Sequence, residues 1–180
     1  MAGIYYTPPH QSQVGVQDPH RAVNCAAYAT AMFANRATLG GCRVTGQTVR
    51  ALSNEPRPDP SSPGLNVDQC RDVLHHLGIA AAAVRGVSRV SVRDRLRQGR
   101  PVLIAIVYKF LPPDYRSSGT FLGPHMLYLN AISPGNSIQV YDPLAKASRW
   151  MPSLAVFQAA AAIGEIQIVY GRTVPLLSEG

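Results

Sequence analysis

The sequence predicts an α+β domain in which helices come first and an antiparallel sheet follows. In the amino-terminal half, apolar side chains recur at helical spacing, and glycines such as Gly40 and Gly78 end the segments. From residue 101 the pattern changes to apolar, β-branched runs, beginning with PVLIAIVYKF. A block of helices followed by strands with short connections is typical of the α+β class.

Five helices and four strands are predicted in chain order. The helices cover about residues 24–39, 45–55, 66–78, 91–99 and 153–164, and the strands cover about 101–110, 125–132, 137–142 and 165–172. The second and third strands are joined around SPGN, which is a hairpin signal.

Length and composition fit a single globular domain. The chain has 180 residues, of which 46% are hydrophobic, enough to form one core without disulfides. Prolines and glutamines predict an extended arm over residues 1–20, and the folded domain is expected over 21–175. Neither a signal peptide nor an apolar run of the roughly 18 residues that span a membrane is found. We therefore expect no membrane partner and a cytoplasmic or virion-associated protein.

The net charge of +7 is carried mostly by arginine. Six arginines lie in RGVSRVSVRDRLRQGR, and on a helix Arg89, Arg93 and Arg97 share one face. Such a face is either solvated or attracts an anionic partner, for example nucleic acid or a cell-wall polymer. Because no interleaved aromatic residues or nucleic-acid-binding motif accompany the arginines, the pattern favours the solvated face and not nucleic acid.

The cysteines indicate chemistry other than disulfides or metal binding. There are three, an odd number, and none forms a CxxC pair, which argues against a disulfide framework and a cysteine-rich zinc site. No metal or other cofactor is predicted. Cys25 opens an apolar helix, HRAVNCAAYATAMFANRATLG. Its thiol either packs in the core or is activated by the amino-terminal end of the helix.

The hairpin supplies a second candidate pair, His125 and Asp142. If Pro134 and Gly135 form the centre of the turn, Leu127 lies opposite Asp142 and His125 is its diagonal neighbour on the same face. A turn centred one residue later keeps both side chains on that face but separates them further. The carboxylate could then orient the imidazole and stabilise its charged form.

Cys25, His125 and Asp142 are together the residue types of a site that uses a thiol as its nucleophile. An imidazolium and a helix dipole can lower a cysteine pKa from about 8.5 to roughly 3–7. The backbone N–H of Cys25 could also donate to an oxyanion. We therefore interpret Cys25, His125 and Asp142 as a candidate catalytic set.

Several segments resemble papain-like cysteine peptidases, in particular the bacteriocin-processing branch that removes double-glycine leaders. NCAAYATAMF resembles the nucleophile helix, LRQGRPVLIAIV the passage before the catalytic histidine, GPHMLYLNAI the histidine strand, and IQVYDPLA the strand that ends in Asp-Pro, while WMPSLAVFQAA is similar to the following helix. The resemblance spans residues 13–170. It implies a papain-like fold with Cys25 as nucleophile, His125 as general base and acid, and Asp142 as the orienting carboxylate.

The chain departs from the family at the oxyanion position. The family usually has a glutamine about six residues before the cysteine, where this chain has Pro19. Gln17 is the expected replacement, and Gln13 could serve if the loop is longer. Ala26 also stands where many members have glycine directly after the cysteine.

The expected function is a bacterial or phage cysteine peptidase or amide hydrolase. Its substrate would be a polypeptide or a cell-wall peptide, cleaved through a thioester acyl-enzyme. Two alternatives stay open. The chain could be a non-catalytic structural or assembly protein, such as a phage virion component with an assembly partner, or an acyl transferase or deamidase that uses the same residues.

Overall fold

A computed structural model describes residues 8–14, 24–53 and 64–171. The helices are α1 (Cys25–Ala37), α2 (Gly46–Leu52), α3 (Val67–His76), α4 (Arg89–Arg97) and α5 (Ser153–Ala161). The strands are β1 (Ala81–Val84), β2 (Val102–Val107), β3 (Pro124–Ile132), β4 (Ser137–Tyr141), β5 (Arg149–Pro152) and β6 (Ile168–Gly171). The predicted α+β class is confirmed.

The strands form one six-stranded sheet with helices on both faces. Its order is β1-β6-β2-β3-β4-β5, and every neighbouring pair is antiparallel. Alternate residues of the strands face opposite sides, so Leu103 and Tyr128 pack with α1, α2 and α3. Ile104 and Leu127 pack with α4 and α5 on the other side. The central strands β2 and β3 are therefore buried on both faces.

Helix α1 is buried all round. Ten successive residues from Ala26 to Asn35 are buried, and five of them are alanines, whose small side chains let the helix lie close to its neighbours. Phe33 meets Tyr128 of the sheet edge-to-face, with ring centroids 6.3 Å apart. This packing fixes the position of Cys25, the first residue of the helix.

The β3–β4 hairpin contains an irregularity that sets the register at the candidate site. Near the turn Ile132 pairs with Ile138, one residue away from the predicted register. A shift between Leu129 and Ala131 leaves Asn130 as an extra residue, and beyond it Tyr128 pairs with Tyr141. The predicted pairing was wrong at the turn. At the end of the hairpin near His125 and Asp142 the observed pairing is the predicted one, and a one-residue slip there would turn the side chains of one strand to the other face of the sheet.

The sequence did not predict the two edge strands. β1 reads AAAV and β5 reads RWMP, and alanine and proline are depleted in strands. Both pair on one side only, with β6 and β4 respectively. Helix α4 also begins earlier than predicted, because the Ser88 side chain accepts a hydrogen bond from the Ser91 N–H and caps the helix.

Two arginines of the predicted basic face make contacts within the protein. Arg93 lies over the Phe157 ring and donates to the Ser153 hydroxyl at 3.2 Å. Arg97 contacts Asp94, its neighbour on α4. These contacts fit the interpretation of a solvated face that also packs against α5.

The described part of the amino-terminal arm, residues 8–14, lies against the loop after β4. The Gln13 N–H donates to the Pro143 carbonyl at 2.8 Å, and the Ser12 hydroxyl donates to the same oxygen. His10 Nε2 lies 2.8 Å from the Ala145 carbonyl.

In the part of the chain that the structure describes, no helix is long and apolar enough to cross a membrane.

Gly46 provides a test of the packing between α1 and α2. A Cβ at this position would lie 2.4 Å from the Tyr28 ring, which is buried. We expect Gly46→Ala to lower the free energy of unfolding by about 2 kcal/mol, because the ring or the helix must move. Urea denaturation measures this change.

Gly119→Ala is the matched control, since a Cβ there meets nothing within 4 Å. It should change the free energy of unfolding by less than about 0.5 kcal/mol. Equal losses in the two variants would show that the close approach of Gly46 to Tyr28 is not what limits this position.

Candidate active site

Cys25 occupies the amino-terminal end of α1, where backbone N–H groups point out of the helix. No acidic residue lies in the first turn, so the positive end of the helix dipole is not neutralised there. The thiol is partly buried and lines a cleft. A negative charge on this sulfur is therefore favoured by the helix that carries it.

His125 and Asp142 form a buried hydrogen-bonded pair. The His125 Nε2–H donates to Asp142 Oδ1 at 2.8 Å, and both side chains are fully buried. The other ring nitrogen, Nδ1, makes no hydrogen bond of standard geometry within the described residues. Nδ1 is thus the nitrogen left for Cys25, whose charge interacts with that of the ring.

Asp142 is held by two further donors. The Leu144 N–H donates to Oδ1 at 2.8 Å, and the Tyr108 hydroxyl donates to Oδ2 at 2.9 Å. Tyr108 itself accepts a hydrogen bond from the Ser117 N–H, which fixes the position of its hydroxyl oxygen. These two hydrogen bonds therefore orient the carboxylate independently of the bond from His125.

Tyr108 was not predicted from the sequence as a site residue. It follows the apolar run of β2 directly and looks like one more core residue, and the only signal was a hydroxyl that must find a partner when buried. Its ring meets the His125 ring edge-to-face at 4.9 Å between centroids. Phe121 meets the same ring at 5.5 Å. The two aromatic rings shield the His125–Asp142 hydrogen bond from water.

The pKa shifts of Cys25 and His125 favour the ionised pair. Burial opposes ionisation of the Cys25 thiol, but the charge and proton of His125 and the backbone N–H groups of Met126 and Ala26 lower its pKa overall. Burial likewise opposes a charged imidazole, yet Cys25 and Asp142 raise the pKa of His125 to about 9. A thiolate beside an imidazolium is the form that these shifts stabilise at neutral pH.

Asp142 remains ionised under the same conditions. Burial acts to raise the pKa of its carboxyl group, but the hydrogen bond from His125, its charge and the donors Leu144 and Tyr108 lower it overall. Burial and the carboxylate together raise the pKa of Tyr108 to about 12. Tyr108 therefore keeps its proton and acts as a donor.

Cys25 differs from the other two cysteines. Cys70 lies on the core side of α3, and burial raises its pKa to about 12. Cys42 is partly buried against the same core cluster.

Among the described residues, no group of three or more histidine, cysteine and acidic side chains could hold a metal ion.

A cleft of about 260 Å³ opens beside the thiol. Cys25 and His125 lie on its wall, together with the amino-terminal end of α3 and the facing ends of β2 and β3. None of the described arm residues 8–14 lines it. The structure thus brings the first two predicted site residues to one cleft, with the third directly behind the histidine.

The structure describes only one of the two glutamines considered for the oxyanion position. Gln17 lies outside the described residues. Gln13 is buried, and its backbone is bonded to Pro143, the residue after Asp142. Gln13 is therefore next to the segment that carries Asp142.

Two solved structures share this fold. A protein from Bacillus anthracis described as a C39-like peptidase superposes with a TM-score of 0.67 at 18% identity, over 93% of this chain and 96% of that chain. UfSP from C. elegans superposes with a TM-score of 0.53 at 14% identity, over 93% of this chain and 34% of that chain. The predicted papain-like fold is confirmed. No family model and no curated protein matches the sequence.

Replacing Asp142 by asparagine tests the coupling between the three groups. Without the carboxylate charge the His125 pKa should fall from about 9, because the imidazolium loses its anionic partner. With less imidazolium at neutral pH, the Cys25 pKa should rise. The pH profile of Cys25 alkylation by iodoacetamide, followed by peptide mass spectrometry, should shift to higher pH by about one unit or more.

Asp72→Asn is the control, since Asp72 is exposed on α3 and bonded to Arg71. Its alkylation profile should match that of the unmodified protein. An unchanged profile in Asp142→Asn would mean that the carboxylate does not influence the thiol.

Proposed function

We propose that this protein is a cysteine peptidase or a closely related amide hydrolase with a peptide substrate. One observation gives this proposal its strongest support. The thiol with a lowered pKa opens into the same cleft as an imidazole whose far nitrogen is held by a buried carboxylate. The shared fold with a C39-like peptidase is consistent with this chemistry. The substrate is a polypeptide or the peptide part of a cell-wall polymer.

In the proposed reaction the Cys25 thiolate attacks the carbonyl carbon of the scissile bond. The carbonyl oxygen becomes an oxyanion, which the amino-terminal end of α1 stabilises through backbone N–H groups. The His125 imidazolium gives its proton to the leaving amine, and a thioester remains on Cys25. Neutral His125 then takes a proton from a water molecule. The resulting hydroxide attacks the thioester carbonyl carbon, which releases the carboxylic acid and regenerates the Cys25 thiolate. Asp142 keeps the imidazole in the orientation that both steps need.

The cleft beside Cys25 supports an enzyme over a purely structural protein. A scaffold that had lost its chemistry would have no need of a thiol with a lowered pKa, or of three donors on the buried carboxylate. The described arm residues 8–14 pack against residues 143–145, and none of them lines the cleft. These features favour the enzyme over the assembly protein.

Selective labelling tests the nucleophile directly. At pH 7 we expect iodoacetamide to modify Cys25 at least about tenfold faster than Cys42 and Cys70, because the thiolate is the reactive species. Cys70 should react only after unfolding, since it is fully buried. Peptide mass spectrometry at timed intervals measures the three rates.

The companion variant is Cys25→Ala, which should abolish peptide hydrolysis, while Cys42→Ala should retain it. Equal labelling of all three thiols in the folded protein would remove the basis of the proposal.

A second test decides which glutamine donates to the oxyanion. Because Gln13 is buried beside the segment that carries Asp142, we propose Gln13 for this role. Gln13→Ala should lower kcat by about 10²–10³-fold with little change in KM, as for loss of one oxyanion donor. Gln17→Ala is the matched variant and should leave kcat within about threefold. The reverse ranking would assign the role to Gln17.

A further inference from the structure

We propose that the described part of the amino-terminal arm, residues 8–14, positions Asp142 by holding the peptide group between Pro143 and Leu144. Ser12 is the side chain with the most direct part in this, and His10 anchors the arm beside it. Both are positioning residues, since neither lines the cleft. Asp142 takes part in the proposed reaction, so this inference rests on the proposed function.

The turn after β4 bonds to its own aspartate. The Ala145 N–H donates to the Asp142 carbonyl at 2.8 Å and closes the turn. The Leu144 N–H donates to Asp142 Oδ1, also at 2.8 Å. This is the carboxylate oxygen that accepts the hydrogen bond from His125. The direction of the Leu144 N–H therefore helps to determine where Oδ1 lies relative to the imidazole.

The arm binds the opposite side of the same peptide group. The Pro143 carbonyl accepts the Gln13 N–H at 2.8 Å and the Ser12 hydroxyl at 3.2 Å. This carbonyl and the Leu144 N–H belong to one planar trans peptide, in which the C=O and N–H bonds point in opposite directions. Two donors that hold the oxygen in place therefore also hold the N–H that points at Asp142.

Pro143 makes the carboxylate depend on that one N–H. Proline has no N–H of its own, so Leu144 is the first residue after Asp142 whose backbone can donate to the carboxylate. The proline ring also fixes φ at about −65°, which leaves the Pro143 ψ and the Leu144 φ as the torsions that turn the peptide group. The two arm donors act on this remaining freedom.

His10 anchors the arm on both sides of Asp142. Its ring stacks on the ring of Tyr141, with 5.8 Å between centroids and 29° between planes. Its Nε2–H donates to the Ala145 carbonyl at 2.8 Å. Burial lowers the pKa of His10 more than the Asp142 carboxylate raises it, so the ring is neutral at neutral pH. His10 thus supplies contacts to this segment and no charge.

The experiment measures the pH profile of Cys25 alkylation by iodoacetamide in Ser12→Ala and in His10→Ala. Each change loosens the Pro143–Leu144 peptide, so Asp142 bonds less firmly to His125 and stabilises the imidazolium less. We expect each profile to move to higher pH by about half a unit, less than for Asp142→Asn, because the carboxylate charge is retained. Ser12→Thr keeps the hydroxyl and should restore the profile of the unmodified protein.

A double variant separates positioning from a general loss of packing. If Ser12 acts through Asp142, adding Ser12→Ala to Asp142→Asn should move the profile by less than about 0.2 units further, because the charge that Ser12 positions is already gone. A shift that adds in full would mean that Ser12 acts on the thiol by another route, and would overturn the proposal.

Ser133→Ala is the matched control. The Ser133 hydroxyl also bonds to the backbone of the β3–β4 hairpin, where it accepts the Ser137 N–H at 3.1 Å. It lies at the turn between the two strands, at the opposite end of β4 from Asp142. Its alkylation profile should match that of the unmodified protein. A shift equal to that of Ser12→Ala would show that any weakening of the hairpin has this effect, and would contradict a specific role of the arm.

Peptide hydrolysis distinguishes a failure of this inference from a failure of the proposed function. In Ser12→Ala we expect kcat to fall about threefold with little change in KM, since Ser12 does not line the cleft. Unshifted alkylation profiles in Ser12→Ala and His10→Ala, with hydrolysis intact, would overturn the positioning role and leave the proposed function standing. Absence of hydrolysis by the unmodified protein would overturn the proposed function, and the alkylation profiles would still decide whether the arm positions Asp142.

Discussion

The buried hydrogen bond between His125 and Asp142 is the constraint on which the site depends. A carboxylate can stay ionised without water only if other groups satisfy it, and here the imidazole, the Leu144 N–H and the Tyr108 hydroxyl do so. These donors come from three parts of the chain, so the charged group links the segment after β2, strand β3 and the loop after β4. The same bond leaves one ring nitrogen of His125 for the thiol.

Helix α1 contributes the complementary half of the site. Its alanine-rich body is buried between the sheet and the other helices, and its amino-terminal end places Cys25 at the cleft. Burial alone would keep this thiol protonated, as it does for Cys70. What distinguishes the two thiols is the His125 imidazolium beside Cys25, since each thiol also receives a backbone donor. The lowered pKa of Cys25 is therefore a consequence of its position in the fold.

The sequence predicted the elements that carry strong periodicity and three residues that the structure brings together, Cys25, His125 and Asp142. The helix at Cys25 and the His125 and Asp142 strands were recognised because apolar runs and hairpin signals are local features. The edge strands β1 and β5 were missed, since AAAV and RWMP pair only through the neighbouring strand. Tyr108 was missed because only its buried hydroxyl distinguishes it from a core residue.

The proposed chemistry requires the Cys25 thiolate and the His125 imidazolium to stabilise each other in the folded protein. ¹⁵N NMR of the imidazole at pH 7.5 tests it most directly, with the unmodified protein compared to Cys25→Ser. We expect a doubly protonated His125 ring that becomes largely neutral when the thiol is replaced, because the charge of Cys25 is the leading interaction that raises the His125 pKa. A ring that is neutral in both proteins would contradict it.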